Sequence, residues 1–182
     1  HVTSMKDFKV LCKKMAKGAI DNLIILGGNP VYDAPSDCNF EASLKKVKSA
    51  VHLSSFYDET SKHCQWSIAQ AHFFETWGDA MTYDGYASII QPQIRPLFDS
   101  KSALQVLTPI IFKEDRSSYD TVKKVWKDSI VNEANFERKW EKILHEGIHA
   151  KPLLSTQKVR IQNKISTAVL TKDQALDDNK FE

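Results

Sequence analysis

Two histidines flank a glutamate in His145-Glu146-Gly147-Ile148-His149, the HExxH spacing with which a helix presents two imidazoles to one zinc ion while the glutamate acts as base. That chemistry needs both rings on one helical face. Gly147 interrupts it, because a glycine after the periodic stretch Glu133 to Glu146 reads as the residue just beyond a helix end, and Pro152 soon follows. No histidine comes after His149 to complete a ligand set. A helix terminus with surface histidines is therefore preferred to zinc hydrolysis, and His145 and His149 are assigned no metal.

The second candidate is Gly27-Gly28-Asn29-Pro30, directly after the apolar run Asn22 to Leu26. Open α/β sheets bind ligands at the carboxyl edge of their strands, where glycines let a phosphate or nucleotide approach the backbone. The turn lacks the GxGxxG spacing, so a plain turn competes with a phosphate cradle. Asp58-Glu59-Thr60 and the segment His72 to Asp79 (HFFETWGD) bring carboxylates, a histidine and a tryptophan to the ends of the next elements, where carboxylates suit ribose hydroxyls or guanine amines. Each also has a structural reading: Asp58 is a good helix cap, and Trp77-Gly78-Asp79 a good turn. Cys12, Cys38 and Cys64 form no CxxC and are expected to be buried free thiols. No nucleophile elbow or P-loop occurs, which leaves hydrolase and NTPase chemistry without a motif.

The elements that must position these residues follow an α/β rhythm. Met5, Phe8, Leu11, Cys12 and Met15 form an apolar stripe at helical spacing. NLIIL reads as a central parallel strand covered on both faces. Asp37 is placed to cap a helix through about Val47, AVHLS (Ala50 to Ser54) supplies a second strand, and Asp58 caps a short helix before Trp66 to Ile68. One strand, YASII, is expected before the broken stretch around Pro92 and Pro96. Helical patterns follow over Ser102 to Phe112, with a kink or break at Pro109, then over Tyr119 to Val131 and Glu133 to Glu146; these helices are expected to cover the sheet or its edge. After Pro152, KVRIQ and STAVL read as weak strands in a loose tail.

With 182 residues and 42% hydrophobic composition, the chain is long enough for one sizeable core, and a single domain is favoured. A net charge of +2, with basic and acidic residues interspersed, gives no phosphate-binding patch and argues against nucleic acid as a partner. No run of about 18 apolar residues is present, so no membrane span is expected. An opening on His1 and a polar close, DQALDDNKFE, read as an excised or processed piece of something larger.

Taken in order, LIILGGNPVYDAPSDCNFEASLKKV, VHLSSFYDETSKHCQW and AHFFETWGDAMTYDGYASIIQPQIRPLF resemble the molybdopterin oxidoreductase family, in particular the large periplasmic iron-sulfur subunit of alternative complex III, a quinol oxidoreductase. The resemblance spans roughly residues 22 to 107, and SYDTVKKVW and FERKWEKILHEGI look similar too. Two departures stand out: Ile68-Ala69 lies where relatives carry a Leu-Pro pair, and Gln65 where an Asp is common. The resemblance implies a mainly parallel, Rossmann-like sheet flanked by helices over residues 1–152, with a weakly structured tail over 153–182, as a fragment of a larger multidomain subunit.

It further implies that Gly27, Gly28, Asn29, Pro30, Glu59, Thr60 and Asp79 line a vestigial form of the crevice that holds molybdopterin guanine dinucleotide in catalytic relatives. On this expectation the chain is a non-catalytic structural domain without a cofactor of its own. Iron-sulfur clusters lie elsewhere in the parent, and the partners are other subunits of a membrane-bound complex on the periplasmic side. The alternative it leaves open is the cofactor-binding domain of a true molybdenum oxidoreductase.

Overall fold

The computed structural model describes residues 4–131, 135–149 and 152–155. Ser4 and Asp7 close a reciprocal capping box, Ser4 N–H donating to Asp7 Oδ2 at 2.9 Å, and start α1 (Met5–Ala16). Its apolar stripe buries Cys12 and Met15. Three strands then pair in parallel, β1 (Asn22–Leu26), β2 (Ser49–Ser54) and β3 (Trp66–Ala69), in spatial order β1-β2-β3. The fold is thus α/β, with a parallel sheet flanked by helices.

The expected central place of NLIIL is corrected: β2 is central and β1 is an edge strand. Leu23 and Ile25 pack with Ala50 against Cys12, Met15, Phe40 and Leu44, while Ile24 and Leu26 on the opposite face remain 37% and 42% exposed. The apolar run carries two distinct faces, and α1 and the helix after Asn39 cover only one.

Between β1 and β2 the chain makes α2 (Pro30–Asp33), with Pro30 in the first turn, then a 3-10 turn (Ser36–Cys38) and α3 (Phe40–Leu44). Asp37 does not cap a helix to Val47 as expected. Asn39, left-handed at φ 47°, separates the turn from α3, and the Asp37 carboxylate accepts from Lys9 Nζ of α1 at 2.6 Å. A contact between distant residues replaces a local cap. Asp58 behaves as expected, accepting from Ser61 N at 2.9 Å to start α4 (Glu59–His63).

The second half is organised differently from the sequence expectation. β4 (Gly78–Met81) and β5 (Ala87–Ile90) pair antiparallel, and they gather α6 (Ser118–Val125), a π-helical turn (Trp126–Ile130) and α7 (Phe136–Glu146) into a core of their own. These helices cover the hairpin rather than the parallel sheet, because their aromatic residues find one another: Trp126 and Trp140 meet edge to face at 5.9 Å, and Phe136 stacks on Trp140 at 5.8 Å. The helix expected over Tyr119 to Val131 opens into the wide turn at Trp126, whose indole N–H donates to Asp79 of β4 at 2.8 Å. α5 (Ala103–Phe112), capped by Ser102, runs through Pro109 without breaking. Residues 133 and 134, KVRIQ and STAVL lie outside the described residues. Among the described residues no helix is long and apolar enough to cross a membrane.

Truncation of Trp140, 2% exposed and touched by three other rings, should lower stability by about 3–5 kcal/mol in urea unfolding. Val125→Ala, at a residue 45% exposed on the adjoining helix, should change it by no more than about 0.5 kcal/mol.

Candidate functional site

The carboxyl ends of the three parallel strands converge on a cavity of about 480 Å³ whose wall includes Gly27 and Gly28 after β1, Ser54 at the end of β2 and Phe56 beyond it, Asp58, and Gln70 after β3. This is where open α/β sheets place ligands. Gly27 and Gly28 both adopt left-handed backbone, φ 71° and 73°, which glycine reaches without the steric cost of a Cβ. The constraint is conformational rather than spatial: a Cβ on Gly28 would meet nothing within 4 Å, and one on Gly27 only the Gln70 side chain at 3.7 Å. Gly27 N–H extends the strand ladder by donating to Leu53 O at 2.8 Å.

Asn29 joins this turn to α4. Its amide Nδ2 donates to Glu59 Oε2 at 2.7 Å, and its Oδ1 accepts from Thr60 Oγ1 at 2.7 Å and Thr60 N at 3.2 Å. Thr60 Oγ1 in turn accepts from Val31 N at 3.0 Å. Gly27, Gly28, Asn29, Pro30, Glu59 and Thr60 are therefore brought together as the sequence reading grouped them. Asp79 is not: its carboxylate serves Trp126 in the second core, and it is absent from the wall of the cavity.

The residue that sequence reasoning missed is His52. It lies fully buried in the central strand, with Nε2 3.0 Å from Gly28 O and Nδ1 2.9 Å from Ser61 Oγ. A carbonyl only accepts, so Nε2 carries a proton and donates to Gly28 O, while Nδ1 and the Ser61 hydroxyl share the second hydrogen bond. Asp58 Oδ1 approaches the same Nδ1 at 3.5 Å. The trio has the residue types of a Ser-His-Asp relay but not its arrangement, which requires serine and aspartate on opposite ring nitrogens. Here both sit on one side and Ser61 is 1% exposed, so the trio braces the turn. The one clue in the sequence was a histidine among the apolar residues of AVHLS.

Partial burial pushes the Asp58 carboxyl upward, but the Ser61 backbone N–H, the Ser61 hydroxyl, His52 and Ser54 together hold it below the usual aspartate range. Glu59 is likewise held low, chiefly by the Asn29 amide. In the HFFETWGD segment, Glu75 accepts from Leu97 N at 3.1 Å and His72 N at 3.0 Å, and the His72 ring lies tilted against Phe73 with ring centres 4.1 Å apart. These contacts fix a loop.

Gly147 ends α7 in left-handed backbone, φ 76°, its N–H closing on Ile143 O at 2.7 Å, where the sequence reading placed the helix end. Ile148 then bridges Ser88 of β5 and His149 N donates to Ala87 O at 2.8 Å, so His145 and His149 do not share a helical face. Among the described residues no group of three or more His, Cys, Asp or Glu is placed to hold a metal ion.

No protein-family model matches the chain. Over 85 residues, 44% of its length, it is 33% identical to the molybdopterin-binding-like subunit of menaquinone reductase from Nitratidesulfovibrio vulgaris. The likeness is to a molybdopterin-related protein. The aligned part is 12% of that relative's length, so the chain corresponds to a small portion of it.

Asn29→Ala should cost about 1–3 kcal/mol in chemical denaturation, because Glu59 and Thr60 lose their shared partner. Since the Asp58 carboxyl titrates lower in the folded than in the unfolded chain, its contribution is complete above the ordinary aspartate pKa and fades as pH falls through the depressed folded value. Melting temperature should fall over that acid range. Asp58→Asn should start lower at neutral pH and show a shallower fall.

Proposed function

We propose that this chain is a non-catalytic structural domain of the molybdopterin-like, iron-sulfur subunit of a respiratory quinol oxidoreductase complex, shaping the subunit and docking its partners while clusters elsewhere in the parent carry electrons. The observation that carries this reading is the mutual engagement of the polar groups at the strand edge. A phosphate-cradling loop offers successive backbone amides to the anion. Here Gly27 N–H is spent on Leu53, Gly28 O on His52, and the Asn29 amide on Glu59.

Likeness to a menaquinone reductase subunit supports the quinol context and the multi-subunit setting. Exposed apolar residues support docking: Ile24, Leu26 and Trp66 on the uncovered sheet face, and Ile110, Ile111 and Phe112 on α5, are between 37% and 66% exposed. We place the parent on the periplasmic side, held at the membrane through partner subunits.

One observation favours the second reading, a dinucleotide-binding domain of a true molybdenum enzyme: the glycine pair borders a cavity of about 480 Å³, within the size range of small-molecule sites. In that case Gly27, Gly28, Asn29 and Glu59 would hold the phosphate and base, and the Asn29–Glu59 bond would have to open.

Metal and pterin analysis of the purified intact parent separates the two. Iron and acid-labile sulfide without molybdenum or extractable pterin, in a preparation that retains quinol-oxidising partner subunits, is the expected result. Stoichiometric molybdenum with pterin would reject the structural reading.

A further inference from the structure

Three contacts register α1 against the segment that follows α2. Lys9 pairs with Asp37 at 2.6 Å, Phe8 stacks on Phe40 with ring centres 5.7 Å apart, and one turn beyond Lys9 Cys12 shares a buried cluster and a cavity wall with Cys38. Both sulfurs belong to one buried cluster, the two residues being 3% and 7% exposed, and both are free thiols. They also line a second cavity of about 480 Å³, bordered by Lys9, Lys13 and Lys46 and open to solvent, which gives a small reagent a route to otherwise covered thiols.

We propose that Cys12 and Cys38 are a dithiol-disulfide couple that cross-links α1 to the 36–38 turn when a small disulfide oxidant enters this cavity. One thiolate attacks a sulfur of the oxidant and expels the first reagent thiolate. The second thiolate then attacks the resulting mixed disulfide and expels the other, so the protein loses two electrons and two protons and the reagent leaves as two thiols.

The ring so closed contains β1, Gly27 to Pro30 and α2, and α1 supplies Met5 and Phe8 to a neighbouring cavity that Gly27, Gly28 and Pro30 also line. Oxidation thus fixes one wall of the glycine turn. Burial holds the Cys12 thiol above its ordinary range, which makes closure slow at neutral pH and faster as pH rises. Cys64 packs on the same cluster from α4's end but does not line this cavity, and serves as the internal control.

The test is to incubate the full chain with oxidised glutathione over a range of pH, block remaining thiols with a maleimide in denaturant, and map the products by mass spectrometry. Expected are a loss of the two thiol hydrogens, a maleimide on Cys64 alone, a peptide joining Cys12 to Cys38, and a melting temperature above that of the dithiothreitol-treated chain. Cys64→Ser should leave the cross-link unchanged. Glutathione retained on Cys12 or Cys38, a bond that includes Cys64, or maleimide on all three cysteines would overturn the proposal, and none of these readouts relies on a variant that must fold without Cys12 or Cys38.

Discussion

A fully buried imidazole has no water to turn to, so both of its nitrogens must find protein partners, and the pair found by His52 determines how the strand edge is built. Gly28 O and Ser61 Oγ belong to segments 33 residues apart, the turn after β1 and the first turn of α4. The ring between them sits in β2, which pairs with β1 on one side and β3 on the other. Without it the Gly28 carbonyl would lose its tie to the sheet and Ser61 Oγ would keep only the longer bond to Phe56 O, at 3.4 Å. The outer tie through Asn29, Thr60 and Val31 joins the same two segments, so the glycine turn is held twice.

Much of this was legible in the sequence because it rests on local rules. Period and punctuation gave α1, β1, β2 and the end of α7 at Gly147, and Asp58 capped its helix through a residue three places on. Local rules failed where a distant partner outbid a near one. Asp37 had a good capping position, yet Lys9, 28 residues back, took its carboxylate. Asp79 resembled a crevice residue, yet the Trp126 indole, 47 residues on, claimed it. His52 was invisible for the same reason, since both partners come from other segments and a lone histidine in a strand reads as an outward polar residue.

Strand order was illegible for a different reason. An unbroken apolar run records that both faces of a strand are unsuited to water, not what covers them. In β1, Leu23 and Ile25 meet α1 and α3, whereas Ile24 and Leu26 share a face with Trp66 that these helices leave open. Sequence hydrophobicity counted both as interior. Parallel sheets are ordinarily covered on both sides, so an open apolar face of this kind suits the docking role proposed for the chain.

An anionic ligand drawn to the glycine turn would meet the Glu59 carboxylate, whose charge is stabilised by the Asn29 amide and whose pKa is lowered by that bond. To use the amide, the ligand must replace its hydrogen bond to a charged group and leave a bare carboxylate facing a phosphate. A base edge presenting amines would be accepted by Glu59, but only after the same exchange. With Gly27 N–H already in the strand ladder, the turn has one backbone donor fewer to return for that loss. A cleft with the right position and size is thus biased by its own hydrogen bonds toward holding itself together.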